Sequence, residues 1–118
     1  MSEKIAAGLP LTEQEEKDYL VRKGKQIAIA FQMYCIDWGF LPQEDTILED
    51  IYPYMRNNRL FMRPGTDQVI FRYIAPDAGS WSDLQDRAGI VIGILDPGEY
   101  DWVIEIYADS HVKRVPRE

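Results

Sequence analysis

The stretch Leu20-Val21-Arg22-Lys23-Gly24-Lys25-Gln26-Ile27-Ala28-Ile29-Ala30-Phe31-Gln32-Met33-Tyr34-Cys35-Ile36-Asp37-Trp38 decides the fold. Leu20, Gly24, Ile27, Phe31, Tyr34 and Trp38 recur at spacings of four and three, which is one apolar stripe along a helix. Ala28, Ala30 and Cys35 widen it, and Arg22, Lys23 and Lys25 flank it. Upstream, Thr12-Glu13-Gln14-Glu15 fits a capping box, with Thr12 as N-cap and Glu15 reaching back to its amide. Glu13, Glu15, Glu16 and Asp18 place negative charge where the helix dipole favours it. Gly39 and Pro42 stop the helix. Residues 12–38 therefore read as one helix of about 40 Å. Its first half is charged and its second half apolar, so the second half is expected to pack and residues 12–22 to project or to pair with another copy.

Outward from the helix, residues 1–11 read as a flexible tether punctuated by Gly8 and Pro10. Asp45-Thr46 opens a short helix over about 46–56, with Leu48, Ile51, Tyr52 and Met55 as its apolar set and Pro53 shortening it. Asn57-Asn58 is a turn, and Pro64-Gly65 ends the run Leu60-Phe61-Met62. Strands follow over about 68–116: Gln68–Ile74, Gly89–Leu95, Trp102–Ala108 and Val112–Val115. Asp77–Asp86 is a loop with a possible helical turn at Ser80–Leu84, and Asp96-Pro97-Gly98 is a turn. Asp109-Ser110 joins the last two strands as a two-residue hairpin loop, which makes Ser110 a mildly strained site or widens the turn to take in His111. The fold class is α+β: a long N-terminal helix packed on a small antiparallel sheet, in a single domain spanning 12–118.

Composition narrows function. Thirteen Lys and Arg stand against twenty Asp and Glu, for a net charge of −7 spread over both halves of the chain. No basic face is expected, which argues against nucleic-acid binding and against an anionic membrane surface. The single Cys35 excludes an internal disulfide framework. The single His111 excludes a His-rich metal site and has no evident catalytic partner beyond Asp109. There is no nucleophile–base pair, no phosphate-binding Gly loop and no metal-ligand cluster, so the reading is not an enzyme. No apolar run reaches the length of a membrane-spanning helix, and Met1-Ser2-Glu3-Lys4-Ile5 does not open a signal peptide.

Some residues stand out. Asp96, Glu99, Asp101 and Asp109 could gather at one end of the sheet as weak calcium candidates, although a solvated acidic loop explains them as well. Trp38 and Trp102, on the helix stripe and on a strand, are expected in the core. Trp81, in a polar loop with Gly79, Ser80 and Ser82, is the interface candidate and the tryptophan expected to be most exposed. Cys35 reads as a buried, inert thiol.

Four segments carry a resemblance. Lys25-Gln26-Ile27-Ala28-Ile29-Ala30-Phe31-Gln32-Met33-Tyr34 looks like the L-K-Q-I-G-L-A-L-x-M-Y stretch of bacterial prepilin-like proteins. Asp37-Trp38-Gly39-Phe40-Leu41-Pro42 looks like D-x-x-G-x-x-P, one residue shorter. Leu60-Phe61-Met62-Arg63-Pro64-Gly65-Thr66-Asp67 looks like x-F-x-C-P-S-D. Tyr107-Ala108-Asp109-Ser110-His111-Val112-Lys113-Arg114-Val115 looks like F-A-D-G-H-V-K-W-V. Over about residues 22–116 the chain thus resembles the type IV pilin and type II secretion pseudopilin class, in its variant with a C-terminal Asp-Gly-His signature. Arg63 stands where that pattern has Cys, and Ser110 where it has Gly. The family's apolar N-terminal stretch, with Glu at its fifth position, has no counterpart in the polar and acidic residues 1–20.

The resemblance implies a structural, assembly-type subunit: a pseudopilin-like head domain that meets other pilin-like subunits or a protein partner, with homo-oligomers possible. It implies an extracytoplasmic, inner-membrane-anchored protein in full-length members, some of which hold calcium in loops. The alternative is a cytoplasmic, soluble protein-binding module, with Met1 as the true start and recognition through Trp81 and the acidic loops. No cofactor is expected in either case.

Overall fold

The computed structural model describes residues 11–76 and 80–117. The expected tether over residues 1–11 lies almost wholly outside them. Helix α1 spans Glu13–Trp38 and begins with the capping box that Thr12 and Glu15 announce. The Glu15 amide donates to Thr12 Oγ1 at 3.1 Å, and the Thr12 amide donates to Glu15 Oε1 at 3.0 Å. Gly39, at φ 80°, closes the helix in the left-handed conformation that glycine adopts without steric cost. Helix α2 spans Ile47–Met55 and stops two residues after Pro53, which has no amide hydrogen for the helical ladder. Short 3₁₀ turns cover Asn58–Phe61, Trp81–Asp83 and Arg87–Gly89.

Four strands follow: β1 Phe71–Tyr73, β2 Val91–Leu95, β3 Trp102–Tyr107 and β4 Val112–Pro116. They form one antiparallel sheet in sequence order, leaving β1 and β4 as its edges. The α+β arrangement is the one its apolar patterning calls for. Trp102, Ile104 and Ile106 of β3 point inward with Leu95 of β2. They meet Leu20, Ile27 and Phe31 of α1, and Ile51 of α2 closes the same core. Gly24 lets the helix come close to the hairpin: a Cβ there would sit 3.2 Å from side-chain carbons of both Ile106 and Val112.

Three expectations are corrected. The first half of α1 does not project. Leu20 is fully buried and Glu16 is 4% exposed. The 26-residue helix, about 39 Å long, matches the 43 Å long axis of the molecule. Trp38 is not in the core. It is 59% exposed, because α1 by then has run past the residues that cover its apolar stripe, and its ring packs with those of Tyr34 and Phe40. The last hairpin has a three-residue loop in place of two. The Ser110 amide donates to Tyr107 O at 3.0 Å, the Tyr107 amide donates to His111 O at 3.0 Å, and Ser110 sits at φ 79°. This is a turn over Tyr107–Ser110 followed by a left-handed bulge residue, which needs one positive φ where the two-residue type I′ turn needs two.

Candidate interaction surface

The residues singled out from sequence separate in space. Asp101 precedes β3 and Asp109 follows it, so the six-residue strand holds them at opposite ends of the sheet. The four carboxylates do not gather. Asp96 is engaged by the Arg117 guanidinium on both oxygens and accepts from the Gly98 amide at 2.9 Å. These contacts hold its carboxyl below the usual aspartate range. Glu99 receives Arg63 Nη1 at 2.8 Å, which lowers its pKa likewise. Asp109 caps the hairpin, accepting from the His111 amide at 3.1 Å and pairing with His111 Nδ1. Among the described residues, no group of three or more His, Cys, Asp or Glu side chains is placed to hold a metal ion.

Trp81 is half-buried, which corrects its expected exposure. Its ring meets Phe31 edge-on at 6.1 Å between centroids, and the Arg87 guanidinium lies 4.0 Å from its centre. Arg87 also donates from Nη2 to the Trp81 carbonyl at 3.0 Å, so loop and ring clamp each other. Trp102 is buried as expected, stacked on Tyr100 at 5.0 Å, and donates from Nε1 to Glu13 Oε2 at 3.1 Å. Cys35 is fully buried, and desolvation pushes its thiol up to about 12, far from the thiolate that chemistry would require. Sequence reading passed over Arg63 as a functional partner. It joins Glu16 on α1 to Glu99 before β3, and Tyr100 Oη adds a bond to Glu16 Oε1 at 3.1 Å.

Part of what the fold leaves uncovered is apolar. On α1, Ile29, Met33 and Ile36 follow the same four-and-three spacing as the core stripe but lie on the opposite side of the helix, 49, 45 and 66% exposed. On the core-stripe side, at the end of the helix, Trp38 and Phe40, also exposed, pack with Tyr34. A second apolar area lies on α2 and the segment before β1, where Leu48, Tyr52 and Val69 are exposed. Side chains of this kind bind other apolar surfaces. The signal for the α1 stripe was present in the sequence, interleaved with the stripe that fills the core.

No helix among the described residues is long and apolar enough to cross a membrane. Comparison of the chain with protein-family models, with curated proteins and with solved structures finds no match.

Proposed function

We propose that this chain is a structural, assembly-type subunit: a pseudopilin-like head domain whose work is packing against other subunits. The observation that carries the reading is the second apolar stripe, Ile29, Met33 and Ile36, on the solvent side of a helix whose other side already fills the core. A helix apolar on both sides has a further surface to cover. The motif order quoted above supports the reading, as does the sequence of helix, irregular segment and antiparallel sheet. In this reading the protein is extracytoplasmic and anchored at the inner membrane through a segment ahead of the head.

The test is where the native protein resides. Antibody against the head domain, applied to fractionated cells of the source organism, should find it in the inner-membrane fraction or in material sheared from the surface. Recovery solely as a free protein in the soluble cytoplasmic fraction would withdraw the reading in favour of a cytoplasmic binding module.

A further inference from the structure

The two flanks of the sheet carry opposite excess charge. Beside β1, a groove of about 430 Å³ is lined by Leu48, Glu49, Tyr52, Phe61, Met62 and Val69. Leu48 and Tyr52 are successive outward positions of α2, and with Val69 they leave the groove open and apolar. Glu44, Asp45 and Glu49 stand exposed at this flank with Arg72 of β1 beside them, and none of the three carboxylates has an ion-pair partner among the described residues. Across the sheet lies β4, the other edge, about 14 Å away at three strand spacings. It exposes Lys113, Arg114 and Pro116, with Val115 half-buried between them. Lys113 rests over the Tyr107 ring with Glu105 across from it on β3, and Arg114 has no carboxylate partner among the described residues. In a chain of net charge −7, a cationic, partly apolar edge opposite an acidic, apolar groove is a matched pair.

We propose that the occupant of the groove is the β4 edge of a second copy of this chain. Lys113 and Arg114, on opposite faces of that copy's β4, would flank Glu44, Asp45 and Glu49, while its Val115 and Pro116 would cover Leu48, Tyr52 and Val69. Lys, Arg and Pro blunt β4 against strand addition, so the contact runs through side chains and not through a shared ladder. Because groove and edge lie on opposite flanks, the contact is heterologous: each copy offers one of each, and copies add head to tail. This contact rests on the assembly reading and gives it a direction.

The experiment is sedimentation velocity on the full chain from about 10 μM to about 1 mM, the range of weak pairing. It is run at low salt and again at about 0.3 M, where ions screen exposed charges beyond a few ångströms. Two double variants are needed, each checked for native circular dichroism: Leu48→Arg/Glu49→Arg blocks the groove, and Lys113→Glu/Arg114→Glu blocks the edge. The wild-type chain should form dimers and longer species that shrink in salt. Each variant alone should remain monomeric. Their equimolar mixture should associate where neither variant alone does, because one intact groove meets one intact edge. A wild-type chain that stays monomeric throughout overturns the proposal, and so does a mixture that stays monomeric. Association that both variants retain also overturns this contact, yet leaves the assembly reading standing, since that reading is decided separately by cell fractionation.

Discussion

Arg63 holds Glu16 with two parallel bonds, Nε to Oε2 at 2.9 Å and Nη2 to Oε1 at 3.1 Å. The two residues are 47 positions apart, and the carboxylate they bury is the one charged group in the core among the described residues. Arg63 also reaches Glu99, so one guanidinium ties the start of α1 to the loop ahead of β3. Neutralising Arg63 alone strands a buried carboxylate. Arg63→Met should therefore cost about 3–5 kcal/mol in urea unfolding, whereas the double change Glu16→Leu/Arg63→Met should recover most of that loss. A single variant within about 0.5 kcal/mol of wild type would mean that water reaches Glu16.

The same pair decides how much of α1 belongs to the domain. Deleting residues 1–18 removes Glu16 and the Glu13 partner of the Trp102 indole. The thermal midpoint should fall by more than about 8 °C. An unchanged midpoint would mean that the first turns are dispensable.

At the last hairpin, Ser110 holds φ 79°, a conformation that glycine adopts more cheaply. Ser110→Gly should raise stability by up to about 1 kcal/mol, the relief of a left-handed non-glycine residue less the entropy glycine adds to the unfolded chain. Chemical denaturation reads it directly, and a loss of stability would contradict the positive φ.

Asp96 supplies a pH signature. Arg117, and after it the Gly98 amide, depress its pKa in the folded chain. A depressed carboxylate adds stability that is full above its unfolded pKa of about 3.9 and is lost as pH falls through the lower folded value. Arg117→Gln should remove part of that dependence. Urea midpoints measured near pH 5 and near pH 2.5 should differ less in the variant than in the wild-type chain, and an equal difference would show that the pair is not formed.

How much of this could be read from the chain depends on the distance between partners. The capping box is legible because Thr12 and Glu15 lie within one turn, and the strands are legible because β-branched residues cluster between turn residues. Glu16 was not, because nothing near it announces Arg63, and an acidic first turn looks the same whether it projects or packs. Trp38 and Trp81 exchanged their expected exposures for a related reason. Spacing tells which side of a helix a residue lies on, but not where its cover ends, and a polar loop conceals that Arg87 folds back over the indole. The stripe of Ile29, Met33 and Ile36 obeys a rule that was in plain view. A helix with two such stripes has one to bury at home and one to spare, and only the folded chain says which.

Gly24 bears on mechanics. With no side chain there, the backbone of α1 lies almost against Ile106 and Val112, like a shaft seated in a notch cut across two strands. Sliding the helix along its axis would drive the bulkier Leu20 or Ile27 toward that notch, so traction on the helix is transmitted straight into the terminal hairpin. A tug on one end of this molecule is felt by β3 and β4 together.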